Sequence, residues 1–262
     1  MKQVLTIAGS DSGGGAGIQA DIKAMSANGV YAMSVITSIT AQNTQGVMAI
    51  HDLPIAIIEQ QLDAIFDDFE VAAVKTGMLS SVEIVEVVSR KLQQFHVSAL
   101  VVDPVMVAKS GHALLQPEAI ESLKKTLIPL SLIVTPNVAE AEHLADQKIR
   151  TLADARMAAK VIHRLGCRYV LIKGGHLLEE KGTDLLYDGR FFHVYRTEFI
   201  DTPHTHGTGC TFASAIAAQL ANGKAVPEAV QTAKTYLTNA IRHALAIGHG
   251  KGPANHFYFL GE

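Results

Sequence analysis

The stretch Thr205-His206-Gly207-Thr208-Gly209-Cys210-Thr211 carries the strongest chemical signal in the chain. It leads into a helical pattern in which Phe212, Ile216 and Leu220 line one face, with alanines between them for close packing. A Gly207-Thr208-Gly209 backbone at a helix N-terminus can aim several N–H groups at one anion, helped by the helix dipole. During phosphoryl transfer such an arrangement stabilises the charge on the transferring group. Cys210 falls in the first helical turn, where a thiol pKa is expected to be depressed and a thiolate available at neutral pH. It can then act as base toward a hydroxyl, or as nucleophile. The competing reading is a small buried cysteine at a helix start, which is the default for Cys167.

A second loop, Ala8-Gly9-Ser10-Asp11-Ser12-Gly13-Gly14-Gly15-Ala16-Gly17, follows an apolar strand and precedes a helix. No Gly-Lys-Ser/Thr follows, so it is not a phosphate P-loop, and Ile18 stands where a dinucleotide fingerprint needs its third glycine. Four glycines within five residues exceed what a turn needs, and point to a pocket lined by backbone.

The acids lie where strands end. Asp103 follows the run Ala99–Val102, and Asn137 and Glu140 follow Leu132–Val134. Oxygen ligands there can hold Mg²⁺ beside nucleotide phosphates. Asp103 also reads as a turn residue before proline, and Asn137 with Glu140 as a helix capping box, which is compatible with a metal site. Lys173 ends another strand before Gly174-Gly175 and can reach a phosphate, or be solvated. Val105 to His112 reads as a water-excluding lid or as a plain surface loop. The twelve histidines show no metal-ligand spacing; His204 and His206 are expected to be structural or exposed. HExxH, GxSxG and CxxC are absent, which removes the commoner hydrolase and metal-site readings.

Alternating strand and helix patterns position these groups. Strands are expected at Val4–Ala8, Tyr31–Thr40, Val47–Ile50, Ala72–Lys75, Ala99–Val102, Leu132–Val134 and Tyr169–Ile172. A hairpin is expected around Asp188-Gly189, between Leu185–Tyr187 and Phe191–Tyr195. Helices are expected at Gly17–Ala27, Ile55–Phe66, Val82–Phe95, Pro117–Leu127, Leu152–Leu165, Thr208–Ala221 and Pro227–Ala246. That order implies a mostly parallel sheet with helices on both faces and ligands beyond the carboxyl ends of its strands. No linker or repeat divides the chain, so residues 1–262 are expected to form one domain.

Composition narrows the classes. Hydrophobic residues make up 48% and the net charge is −3, so a buried core is available and no basic patch invites nucleic acid. No apolar run approaches the roughly 18 residues a spanning helix needs, which predicts no membrane partner. Two cysteines form no disulfide framework, and the apolar stretch at Val4 to Ala8 is too short for a signal peptide. A cytoplasmic location is expected.

Seven segments in order resemble the hydroxymethylpyrimidine kinases of the ribokinase-like superfamily: Ile7 to Asp21, Thr40 to Thr44, Lys75 to Met78, Asp103 to Met106, Thr135 to Asn137, Lys173 to His176 and Gly207 to Thr211. The resemblance covers essentially the whole chain. It implies a ribokinase-like three-layer αβα sandwich, and two successive ATP- and Mg²⁺-dependent phosphorylations, of a hydroxymethylpyrimidine and then of its monophosphate. Carried over, Asp21 and Gln42 hydrogen-bond the aminopyrimidine, and Gly9 and Met78 shape its pocket. Cys210 takes the base position, Gly207, Thr208 and Gly209 form the anion hole, Asp103 and Glu140 organise Mg²⁺, Lys173 meets ATP phosphate, and Lys234 lies near the adenine. A homodimer is what the resemblance suggests. Related kinases take pyridoxal or pyridoxine, and some carry a second lid cysteine; here Val107-Ala108-Lys109-Ser110 has none, and Met78 fits the pyrimidine branch. Cys210 disfavours a sugar or nucleoside kinase, where Asp is expected, and a non-catalytic binding protein would be expected to lose Cys210 or the two acids.

Overall fold

The computed structural model describes residues 1–107, 111, 114–174 and 181–261. Ala108, Lys109, Ser110 and His112 of the expected lid, and Gly175 and His176 after Lys173, lie outside the described residues.

Among the described residues, one continuous sheet organises the chain. Its strands are β1 (Gln3–Asp11), β2 (Tyr31–Gln42), β3 (Val47–Asp52), β4 (Val71–Thr76), β5 (Leu100–Val102), β6 (Ile133–Val134), β7 (Tyr169–Gly174), β8 (Thr183–Tyr187) and β9 (Phe192–Arg196). The spatial order is β3-β2-β1-β4-β5-β6-β7-β8-β9. The six central strands β2, β1, β4, β5, β6 and β7 run parallel, with Gln3 opposite Tyr31, Val74 opposite Leu100 and Val101 opposite Ile133. The edge strand β3 and the hairpin strands β8 and β9 pair antiparallel.

Side chains alternate across the central strands because the strand period is two. Leu5, Ile7, Val74, Leu100, Val102 and Val134 face one core, which also takes Ile58 and Leu62 of α2 (Ile55–Asp68) and the apolar stripe of α3 (Val82–Gln94). That core is completed by α4 (Pro117–Ser122), α5 (Val138–Ala145) and α6 (Leu152–His163). Val4, Ala73, Val101, Ile133 and Leu171 face the other core, against α1 (Gly17–Ala27), α7 (Thr208–Ala221) and α8 (Val226–Arg242). Runs that are apolar on consecutive positions are buried from both sides, as a parallel sheet between two helix layers requires.

Two helix ends differ from expectation. The helix expected through Leu127 stays α-helical only to Ser122, widens into a π turn over Leu123–Leu127 and tightens to 3₁₀ at Ile128–Leu130, where Pro129 cannot donate to a regular ladder. α8 ends at Arg242 rather than Ala246, because the chain turns back there: Leu245 N–H donates to the Pro253 carbonyl and His206 N–H to the Gly252 carbonyl. This return places the C-terminal segment beside the loop that opens α7.

Candidate active site

A cavity of about 890 Å³ opens beyond the carboxyl ends of the parallel strands. Gly9, Gln42, Met78, Asp103, Glu140, Lys173, Lys234 and Gly207 to Cys210 all line it, although they are drawn from distant parts of the chain.

The anion hole is built by the start of α7. Gly207 caps it with φ of 73°, and a Cβ there would lie 1.7 Å from the Gly15 carbonyl oxygen, so only glycine permits the approach. No side chain caps this helix. The Thr208 N–H turns back to the Thr205 carbonyl at 3.5 Å, whereas those of Gly209 and Cys210 precede the first helical acceptor, the Gly207 carbonyl taken by Thr211. Thr208, expected in the anion hole, also turns its hydroxyl back, donating to the Thr205 carbonyl at 3.1 Å.

Cys210 overturns the expected acidity. Its thiol is pushed up to about 11, chiefly by burial, with the carboxylates of Asp21 and Asp103 adding to the rise. The buried Lys75 ammonium and the Gly17 N–H favour the thiolate but do not outweigh these effects. The helix start therefore holds a protonated thiol at neutral pH. Cys167 is buried in the core and is pushed up to about 12 by that burial.

Asp21 is a second correction. It has no exposed surface and does not line the cavity. Lys75 Nζ donates to its two oxygens at 2.9 and 2.8 Å, Thr6 Oγ1 donates at 2.6 Å and Ser214 Oγ at 2.7 Å. With its lone pairs taken, Asp21 supports the cavity through Lys75 instead of touching a ligand ring. Sequence pattern assigns Lys75 no role, yet it lines the cavity while fully buried. Gly77 makes room for it: a Cβ there would lie 2.7 Å from Nζ. A lysine inside the apolar strand Val71–Thr76 was the available signal, since a buried ammonium demands a partner.

The phosphate side is strongly charged. Lys173 Nζ donates to Asp103 Oδ1 at 2.7 Å, and Thr135 Oγ1 donates to the same oxygen at 3.2 Å. Burial opposes the Lys173 charge, but Asp103 and Glu140 hold its pKa above the usual value. Glu140 and Asn137 form the expected capping box, the Asn137 N–H donating to Oε2 at 2.7 Å. Burial and the neighbouring Asp103 push the Glu140 carboxyl up to about 7, against the pull of Lys173. Among the described residues no cluster of three His, Cys, Asp or Glu side chains forms a cation cage. Two hard carboxylates, one of them destabilised by the other's charge, suit Mg²⁺ that completes its shell with water and phosphate. Lys234 is held by Asp184 at 2.6 Å and the Gly182 carbonyl at 2.8 Å. Thr197 to Thr202 line the cavity on that side.

The substrate side is shaped by Gly9 and Met78. A Cβ on Gly9 would lie 2.6 Å from Met78 Cε, so the glycine lets the thioether reach the cavity wall. Asp11, also overlooked in the sequence, accepts from the N–H groups of Gly13, Gly15 and Ala16 at 2.8, 3.0 and 2.8 Å. His206 is buried rather than exposed, and its Nε2 lies 2.9 Å from Asp11 Oδ2.

The phosphomethylpyrimidine kinase family model matches residues 11–255. The hydroxymethylpyrimidine/phosphomethylpyrimidine kinase of Bacillus subtilis is 48% identical over 260 residues, which cover 99% of this chain and 96% of that protein. The thiamine biosynthesis bifunctional protein ThiED of Geobacter sulfurreducens is 52% identical over 97% of this chain; the chain spans only 52% of that longer relative. Among solved structures, an ADP complex of Bacillus subtilis pyridoxal kinase superposes with a TM-score of 0.93 at 41% identity, covering 100% of both chains. The match runs through both glycine loops, the strand-end acids and the α7 start, and on that extent the chain belongs to the phosphomethylpyrimidine kinase family.

Proposed function

We propose that this chain transfers the γ-phosphoryl group of ATP to 4-amino-5-hydroxymethyl-2-methylpyrimidine, and then a second one to the monophosphate, in thiamine biosynthesis. The observation that carries this reading is the α7 start. Its uncapped N–H groups and Cys210 share one cavity with Asp103, Glu140 and Lys173. The names of the relatives point the same way.

Gly9, Met78 and Gln42 would hold the pyrimidine ring with its hydroxymethyl group toward Cys210. Lys173 and the N–H groups of Gly209 and Cys210 would bear the growing negative charge, which is the main task in phosphoryl transfer. Asp103 and Glu140 would hold Mg²⁺, which when bound neutralises phosphate charge. The sulfur of Cys210 accepts the hydroxyl proton only as thiolate, a minor form at neutral pH given its raised pKa. A phosphate oxygen is already ionised, so the second phosphorylation needs no such base.

One specific observation keeps pyridoxal phosphorylation as the second reading: a protein named pyridoxal kinase superposes on this chain over the full length at 41% identity. Two ATP-consumption assays separate the readings. Hydroxymethylpyrimidine should exceed pyridoxal in kcat/KM by at least about tenfold, since a site built for polar groups rejects ligands that leave them unpaired. Equal or better turnover of pyridoxal would reverse the order. EDTA should abolish turnover and Mg²⁺ restore it.

We place the protein in the cytoplasm as a homodimer. Free Cys167 and Cys210 suit a reducing compartment. Exposed Ile39 and Met48 on the β2–β3 ribbon offer an apolar face at the sheet edge. Light scattering of the purified protein at the mass of one chain would remove the dimer.

A further inference from the structure

A hydrogen-bond chain joins the two glycine loops, and counting its protons fixes its direction. Thr40 Oγ1 lies 2.7 Å from the Ser10 carbonyl oxygen, which only accepts, so the one hydroxyl proton is committed there. His206 Nε2 lies 2.9 Å from Asp11 Oδ2. Despite burial, the Asp11 carboxyl stays below its ordinary pKa through His206 and the N–H groups of Ala16 and Gly13, so it is ionised and only accepts. His206 Nε2 therefore carries a proton.

The Gln42 amide spans the gap between these groups, with Oε1 3.1 Å from Thr40 Oγ1 and Nε2 3.4 Å from His206 Nε2. In that sense it sets an oxygen against a hydroxyl oxygen whose proton is used, and an N–H against an N–H. The two ends of an amide have nearly the same shape, so the proton count decides which is nitrogen. Turning the amide over removes both conflicts: the nitrogen donates to Thr40, and the oxygen faces the one Nε2–H of His206, sharing at the longer 3.4 Å distance the proton that Asp11 takes at 2.9 Å.

We infer that the protonated His206 nitrogen, anchored by Asp11, holds the Gln42 amide in this turned orientation, and that His206 thereby sets the hydrogen-bond pattern offered to the substrate ring. The ring of His206 has little freedom to escape this task. A Cβ on Gly15 would lie 2.3 Å from its Cδ2, and its own backbone N–H donates to the Gly252 carbonyl at 3.1 Å. One amide N–H and one oxygen lone pair of Gln42 remain for a ligand. A ring nitrogen beside an exocyclic amino group matches that pair, whereas pyridoxal has no amino group to donate. His206 is thus a positioning residue, and its proposed effect on specificity rests on reading Gln42 as a ring-binding group.

The test pairs kinetics with a direct view of the amide. His206→Phe should raise the KM for hydroxymethylpyrimidine and shrink its kcat/KM advantage over pyridoxal, each by about tenfold, with kcat changed less than about threefold. His206→Gln, whose amide N–H replaces the ring donor, should restore most of the advantage. An unchanged substrate ratio in His206→Phe, or an equal loss of kcat on both substrates, would overturn the inference while leaving the kinase reading intact. If the wild-type protein ignores the pyrimidine, the kinase reading fails, and NMR of the wild-type Gln42 side chain decides this point alone. Nuclear Overhauser contacts from its NH₂ protons to the Thr40 methyl support the turned amide; contacts to the His206 ring overturn it. The same measurement serves if His206→Phe does not fold.

Discussion

Two glycine loops meet at this site, and they do opposite things with their backbone donors. In the loop between β1 and α1, the N–H groups of Gly13, Gly15 and Ala16 all end on the Asp11 carboxylate. In the loop before α7, no side chain caps the helix, and the Gly209 and Cys210 N–H groups precede its first acceptor, while that of Thr208 returns to the Thr205 carbonyl. Glycine content makes the two look alike in sequence. One internal acid converts the first from an anion receptor into a closed platform, fit for a neutral ring, and its absence leaves the second open to phosphate. The loops are also docked to each other, Gly207 against Gly15 and His206 against Asp11, so two walls of the cavity are held in one frame.

The harshest break of this arrangement is Gly207→Val. A side chain there meets the Gly15 carbonyl and requires a β-branched residue at φ of 73°. Turnover should fall by at least about 10²-fold, the scale of losing an anion-hole donor, with a lowered melting temperature. Single-turnover kinetics and thermal denaturation check this; near-normal turnover would mean that the loops are not docked as described.

The raised Cys210 pKa gives the next effect. Between pH 7 and 9 the thiolate fraction of a group titrating near 11 grows about tenfold per unit. The rate of the first phosphorylation should climb accordingly and that of the second should stay nearly flat, as pH–rate profiles on the two substrates would reveal. A plateau on the first substrate from pH 7 upward would restore the depressed thiol expected from the helix start.

Asp11→Asn probes the closed loop. Loss of carboxylate acceptors should cost about 1–3 kcal/mol by denaturant unfolding. The sign of the pH effect follows from a folded pKa lowered below the ordinary 3.8. The stabilisation is complete above about pH 4 and disappears as pH falls through the folded value. The substitution should therefore flatten the acid limb of the stability curve. The mildest effect concerns labelling: an alkylating reagent should modify Cys210, which lines the cavity, faster than Cys167, and bound pyrimidine should protect it.

Much of the frame was legible because it depends on local pattern. Apolar runs too short for helices became the parallel strands, and Asp188-Gly189 marked the β8–β9 hairpin. The convergence of Asp103, Glu140, Lys173 and Cys210 followed from their places at strand and helix ends. What escaped depends on partners far along the chain. Asp21 sits in the opening motif, but Lys75, 54 residues on, and Ser214, 193 residues on, consume its oxygens. Cys210 has the spacing of an activated thiol, but its burial and two nearby carboxylates reverse the shift. His206 reads as one of twelve histidines until Asp11 and Gln42 are seen beside it.

The division of labour between the loops rests most heavily on Cys210, and Cys210→Ala tests it most directly when both phosphorylations are timed in single turnovers. On hydroxymethylpyrimidine the rate should fall by about 10²–10⁴, the range for losing a general base. Substrate binding should change little, and the monophosphate should lose far less, because its attacking oxygen is already ionised. A near wild-type rate on the unphosphorylated pyrimidine, or equal losses on both substrates, would contradict the assignment of Cys210 as the base at the open loop.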